Sequence, residues 1–156
     1  MEKINLEDYK INGKTLKELV GFEDSSVENL IKLSWTYYQQ GKLDVAEKIL
    51  RGLTAIDPEN SLTHSALGAV LTRKGDAEDA IKELNVALEL NPKDIAAYVN
   101  RGEAYFRLGR MEESIADFRK AIELDPEGKD SGANRARVIL LGLSEVAKAV
   151  KNLPNK

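Results

Sequence analysis

Ile31, Trp35 and Tyr38 stand four and three residues apart, a spacing that sets them along one face of a helix. The chemistry open to such a face is recognition, since tryptophan is among the side chains most enriched at binding hot spots. Residues suited to catalysis are sparse. His64 is the single histidine and there is no cysteine, whereas a zinc site needs several ligands at defined spacing. Neither a phosphate loop nor a Gly-x-Ser-x-Gly elbow occurs. The acidic pairs Glu78-Asp79 and Glu112-Glu113 open helices, where they complement the positive end of the helix dipole. These residues imply a chain that is not an enzyme and takes neither cofactor nor metal, with His64 packed between helices as a structural residue.

The elements that must position the Trp35 face are written as a period. Gly41, Gly75 and Gly109 are 34 residues apart, and so are Pro58, Pro92 and Pro126. Each proline follows a turn-type residue, in Asp57-Pro58, Asn91-Pro92 and Asp125-Pro126. With the proline at position 32, the repeats run over 27–60, 61–94 and 95–128. Position 8 holds Ser34, Gly68 and Gly102; position 20 holds Ala46, Ala80 and Ser114. Position 24 holds Leu50, Leu84 and Phe118, and position 11 holds Tyr37, Leu71 and Tyr105. Small residues at 8 and 20 let two helices approach, and large ones at 11 and 24 fill the space beside them.

This pattern resembles the tetratricopeptide repeat, a helix-turn-helix unit that stacks into a solenoid. The resemblance implies an all-α, right-handed solenoid of three helix pairs with a C-terminal capping helix. Two positions depart from it: Leu53 stands where a small residue is usual, and Arg101 occupies a normally apolar site, which points to local exposure or a salt bridge.

Local chemistry sets the expected boundaries. Ser25 followed by Glu28 predicts a capping box, and Gly41 a left-handed C-cap. Helices are predicted over 26–40, 43–56, 60–74, 76–90, 94–108 and 111–124, with Asp76 and Asp94 as N-caps. Past Pro126 the period is expected to fail. Residues 127–133 read as a linker and 133–151 as one helix whose Ala136, Ile139, Leu140, Leu143, Ala147 and Val150 follow helical spacing. That helix is expected to lid the last repeat, while Val138 and Leu141 lie off its stripe and widen the apolar face for a second contact. Before the repeats, residues 1–26 form an N-terminal segment with a short helix near Thr15–Val20. Such a helix cannot stand alone, so Leu16, Leu19, Val20 and Phe22 must dock on repeat 1, on a second copy in a homodimer, or on a partner. Residues 129–156 make the C-terminal helix and tail.

Composition narrows the partners. The net charge of −3, with both signs mixed, argues against nucleic acid, which favours a basic face. No apolar run approaches the length of a membrane span, and the first eight residues lack a secretory signal pattern. Without cysteine, a disulfide framework is excluded, and a cytoplasmic location is expected.

The family resemblance also implies where a ligand sits, on the inner wall made by positions 2, 5, 9, 12 and 13 of each first helix. Repeat 1 then contributes Glu28, Ile31, Trp35, Tyr38 and Gln39; repeat 2 contributes Leu62, Ser65, Ala69, Thr72 and Arg73; repeat 3 contributes Ala96, Val99, Glu103, Phe106 and Arg107. Some members clamp the C-terminal carboxylate of heat-shock chaperones with Lys at position 5 and Asn at position 9. Ile31 and Trp35 occupy those places, which disfavours a clamp. A narrower resemblance joins Gly13-Lys14-Thr15-Leu16-Lys17-Glu18-Leu19, the stretch Leu30 to Lys42 with its aromatics Trp35 and Tyr38, and the single final helix. This layout is similar to the class II chaperones of type III secretion. It implies a protein or peptide client held as an extended apolar segment in the groove, and an N-terminal region that supports dimerisation. A general adaptor in a multiprotein assembly, or a noncatalytic regulatory subunit of an enzyme complex, is the alternative.

Overall fold

The computed structural model describes residues 10–11, 14–19 and 21–151. A two-residue ladder opens it, with β1 (Lys10–Ile11) antiparallel to β2 (Lys14–Thr15) in the register Lys10 to Thr15 and Ile11 to Lys14. Helix α1 (Leu16–Leu19) follows directly. Three helix pairs come next: α2 (Asp24–Gln39) with α3 (Leu43–Ile56), α4 (Ser61–Lys74) with α5 (Ala77–Leu90), and α6 (Ile95–Arg107) with α7 (Met111–Leu124). The chain closes on α8 (Ser131–Lys151). Apart from the short ladder, the result is a helical solenoid.

Repeat punctuation works as the sequence predicts. Gly41, Gly75 and Gly109 adopt φ of 75°, 96° and 72°, a region L side chains avoid. Beyond them, the N–H groups of Lys42, Asp76 and Arg110 reach back to the carbonyls of Tyr37, Leu71 and Tyr105 at 2.9–3.0 Å, which satisfies helix ends that would otherwise lack partners. The residues before the prolines, Asp57, Asn91 and Asp125, are drawn to φ between −136° and −130° and end the second helices. Caps are less uniform. Asn60 and Asp94 accept from the N–H groups of Thr63 and Ala97. Asp76 occupies a cap position without a side-chain cap bond. The capping box expected at Ser25 does not form, because α2 starts earlier, after Glu23, and Ser25 Oγ donates to the Glu23 carboxylate instead.

Within each pair the small and large positions meet. A Cβ built on Gly68 would lie 2.3 Å from Leu84 Cγ, and one on Gly102 2.8 Å from the Phe118 ring. Ala46, Ala80 and Ser114 are fully buried on the facing helices, as are Leu50, Leu84 and Phe118. Leu53, despite its size, is buried in the same core. Arg101 resolves as a salt bridge: Nε and Nη2 both meet the Asp117 carboxylate at 2.8 Å, and Nη1 donates to Asn85 Oδ1 at 2.7 Å. Tyr98 and Tyr105 flank the guanidinium. Removing one partner of such a buried, hydrogen-bonded pair costs about 3–5 kcal/mol, because the other charge is stranded. His64 is buried too, with Nδ1 2.7 Å from Glu83 Oε2 and Nε2 3.0 Å from the Pro58 carbonyl, and so ties α4 to α5 and to the preceding turn.

Helix α8 departs from expectation. It begins at Ser131 rather than at residue 133, and the period does not fail before it. Ala136 continues the series Ser34, Gly68, Gly102 at the same 34-residue interval and is fully buried. Arg73 on α4 reaches back 35 residues to the Tyr38 carbonyl, and Arg135 on α8 reaches back 35 residues to Asn100. Helix α8 therefore occupies the place of the next first helix. Ala136, Ile139 and Leu140 pack with Val99, Phe118, Ala121 and Ile122. Leu140 and Leu143 are half-buried, and Val138 and Leu141 are 69% and 66% exposed.

The turn into α8 is held by Asp125. Its carboxylate accepts from the N–H groups of Lys129 and Asp130 at 3.0 and 3.1 Å, and Arg137 lies 3.3 Å away. Desolvation works against its charge, but these donors outweigh it and hold Asp125 below its ordinary value. At the other end, Lys17 of α1 bridges to Asp57 at 2.8 Å and also pairs with Asp24, and Phe22 packs on the repeat core. The described part of the N-terminal segment thus docks on its own repeat 1. Leu19 is exposed; Val20, Ile4, Leu6 and Tyr9, and the side chains of Ile11, Leu16 and Val150, lie outside the described residues.

Two expected outcomes test this fold. Alanine is preferred to glycine in a helix by about 1 kcal/mol, but at Gly68 the added methyl meets a fully buried leucine, and overpacking costs about 1–3 kcal/mol. Gly68→Ala should lower the thermal midpoint, whereas Gly52→Ala, with open space around its Cβ, should raise it or leave it unchanged; equal shifts would remove the close approach as a constraint. Because Asp125 is depressed in the folded state, its stabilisation is present above its unfolded value of about 4 and is lost as pH falls through the lower folded value. The midpoint gap between wild type and Asp125→Asn should be open at neutral pH and shrink below about pH 4, and a gap independent of pH would count against the carboxylate.

Candidate functional site

Helices α2, α4 and α6 present their outer turns to one side, and the first turn of α8 closes that side. Between them lies a cavity of about 670 Å³. Ile31, Trp35 and Tyr38 form its α2 wall, as the four-and-three spacing predicts. Leu62, Ser65, Ala66, Ala69 and Val70 of α4 form the middle, where small side chains leave depth. Ala96 and Asn100 of α6, then Asp130, Ser131, Gly132 and Arg135, form the far wall.

The aromatic wall is ordered by stacking. The Trp35 and Tyr38 rings lie 4.7 Å apart with only 12° between their planes. Arg73 sits 4.5 Å over the Tyr38 ring, and its Nη1 donates to the Tyr38 carbonyl at 2.9 Å. An aromatic pair of this kind adds about 0.5–1.5 kcal/mol beyond its buried area. Even so, Trp35 is 52% exposed and Leu62 55%, so the cavity keeps a large apolar surface in contact with water. Among the described residues, α1 docks beside Asp57, just past the end of α3.

Of the residues expected on the inner wall, Ile31, Trp35, Tyr38, Leu62, Ser65, Ala69 and Ala96 converge on this cavity. Others do not. Thr72 is buried, with its hydroxyl donating to the Gly68 carbonyl at 2.8 Å. Val99 is fully buried in the α6–α8 core, because α8 covers the place a wall residue would occupy. Glu28 and Gln39 are exposed outside the cavity, and Arg73 serves it from behind Tyr38. Glu103, Phe106 and Arg107 line a separate cleft of about 520 Å³ against Val138, Ile139, Gly142 and Leu143. The contribution of α8 was missed from sequence. Ala136 and Arg135, each 34 residues after Gly102 and Arg101, carried the signal.

Among the described residues no three His, Asp or Glu side chains are grouped to hold a metal ion, and no helix is long and apolar enough to cross a membrane. Two ionisable residues that line the cavity are already engaged: Arg135 pairs with Glu103 at 2.8 Å, and Asp130 caps α8 by accepting from the Ala133 N–H. The arrangement can bind a chain segment with apolar side chains.

Sequence models of the tetratricopeptide repeat match residues 27–60, 70–109 and 95–127. The chain belongs to the tetratricopeptide repeat family. Its structure is similar to that of SycD, the type III secretion translocator chaperone of Yersinia enterocolitica, at 23% identity and TM-score 0.74, covering 83% of this chain and 98% of SycD. It is similar to PcrH in complex with the chaperone binding region of PopD, at 23% identity and TM-score 0.73 over 81% of this chain and 97% of PcrH. The first tetratricopeptide domain of Spaghetti, bound to the HSP90 peptide SRMEEVD, matches at 28% identity and TM-score 0.67 over 78% of this chain and 96% of that one. No curated protein sequence matches significantly. As a tetratricopeptide repeat protein, the chain shares its fold with these solved structures over most of its length.

Proposed function

We propose that this protein is a chaperone of the secretion type, which holds an extended apolar segment of a client protein in the Trp35 cavity. The observation that carries the reading is the half-exposed Trp35–Tyr38 stack facing Leu62 across a floor of small residues. A preformed apolar cavity with a few polar groups at one end suits a peptide segment. The similarity to SycD and to PcrH bound to the chaperone binding region of PopD supports it. A carboxylate clamp of the heat-shock type finds no support in the residues: Ile31 and Trp35 stand at two of its places, and Arg101 is committed to Asp117 and Asn85. The role is binding rather than catalysis, in the cytoplasm, with the N-terminal segment, the three repeats and α8 acting as one binding unit.

Trp35→Ala tests the site. If Trp35 is a hot spot, client affinity should fall by about 2 kcal/mol, roughly 30-fold in Kd, with helicity by circular dichroism unchanged. Unaltered affinity in the folded variant would refute the assignment.

A homodimer through the N-terminal segment is the accompanying proposal, since Leu19 remains exposed on α1 and closed two-fold pairing is the commonest assembly. Light scattering should show a dimer for the full chain and a monomer after deletion of residues 1–24. A full-length monomer at micromolar concentration would leave the segment as an intramolecular cover of repeat 1.

A further inference from the structure

His64 is set between two acceptors. Its ring is buried, with Nδ1 2.7 Å from the Glu83 carboxylate on α5 and Nε2 3.0 Å from the Pro58 carbonyl in the turn before α4. A carbonyl oxygen only accepts, and so does an ionised carboxylate. A neutral imidazole has one N–H and one lone pair, so it can serve only one of the two. The other contact would then press a lone pair against an oxygen. Both contacts are made when the ring is the imidazolium, with Nδ1–H donating to Glu83 and Nε2–H donating to Pro58. The charged groups packed around the pair have partners of their own. On α5, Asp79 lies one turn before Glu83 and accepts from Lys82 at 2.8 Å. On α3, Arg51 is held by Glu47 at 2.7 Å and adds a weaker attraction to Glu83 and Asp79. In the turn, Asp57 is bridged by Lys17 at 2.8 Å, and Glu59 is exposed. Among the described residues, Glu83 is the one ionised partner of the ring.

We infer that His64 is a pH-sensitive positioning residue, whose second ring proton locks the first turn of α4 and with it the Leu62 wall of the Trp35 cavity. His64 lies between Leu62 and Ser65, and both of those line the cavity. Histidine is the side chain that ordinarily changes charge between about pH 5 and 8. While the ring keeps both protons, the turn is tied to Pro58 and to α5 at once. As the pH rises and one proton leaves, one tie must open, and the turn relaxes toward the tie that remains. At the acid end Glu83 takes a proton, but its carbonyl oxygen still accepts from Nδ1–H, so the lock survives there. The device goes beyond the chaperone reading and operates whether or not a client occupies the cavity.

The test uses the full-length, isotope-labelled protein. His64 is the single histidine, so its ring nitrogens are read by NMR without ambiguity. From about pH 5 to about pH 8 the ring should pass from two protonated nitrogens to one. The amide signals of Leu62 and Ser65 should shift with the same midpoint, while those of Gly102 and Phe118, in the next helix pair, stay in place. Glu83→Gln, at a half-buried position, separates the lock from simple packing. Its carboxamide N–H can donate to a neutral Nδ1 while Nε2–H still donates to Pro58, so the Leu62 and Ser65 signals should hold still across the same range. Should that variant fail to fold, the wild-type titration decides by itself. The inference is overturned if the ring does not change protonation over the range, if Leu62 and Ser65 do not follow it, if Gly102 and Phe118 move with them, or if folded Glu83→Gln shows the same linked shifts as wild type.

Discussion

The contact between a glycine on one helix and a leucine or phenylalanine on the next sets the geometry of this molecule. At Gly68 facing Leu84 and Gly102 facing Phe118 there is no room for a single added carbon. The partner side chain occupies the space and is fully buried by it. In the second and third pairs the first helix is thereby pressed against its second helix at a fixed depth and rotation. Once that is set, the outer turns of α2, α4 and α6 have one direction left to face, and the concave wall follows. Cores packed to this density tolerate little adjustment, so the groove is positioned by contacts on the opposite side of the helices that form it.

Polar contacts between helices also hold this scaffold in register. Arg101 crosses from α6 to Asp117 on α7 and to Asn85 on α5, and so joins two successive repeats through one planar fork. His64 joins α4, α5 and the turn at Pro58. Asp125 gathers the N–H groups of Lys129 and Asp130 and the Arg137 guanidinium, which fixes the direction in which α8 leaves. That direction has a functional consequence. The first turn of α8 becomes the far wall of the cavity, while its middle buries Val99 and opens a distinct cleft against Phe106.

The cavity joins two kinds of surface. Its α2 end is aromatic and apolar, stiffened by the Trp35–Tyr38 stack with Arg73 behind it. Its α8 end carries Asn100, Asp130, Ser131 and Arg135. An extended ligand would meet apolar contact at one end and hydrogen-bonding groups at the other, which gives it an orientation as well as an affinity. A solenoid fold carries many ligands, so under the proposed function any choice of client would rest on these side chains and not on the solenoid.

The period of glycines and prolines determined the repeat boundaries, since left-handed caps and restricted residues before proline are local events that need no distant partner. The small and large positions determined how each pair closes, and the spacing of Ile31, Trp35 and Tyr38 determined that they share a face. Tertiary structure decided the rest. Val99 and Glu103 occupy inner-wall positions, yet one is sealed beneath α8 and the other turned into a separate cleft, because α8 packs there as a further first helix. Ser25 matched a capping pattern that the earlier start of α2 made redundant. Arg101 looked out of place until Asp117, sixteen residues away, supplied its counter-charge. Local sequence fixes helices and their ends because hydrogen bonds within a turn are short-range. Which side of a helix meets solvent, ligand or another helix depends on neighbours brought together only when the stack has closed.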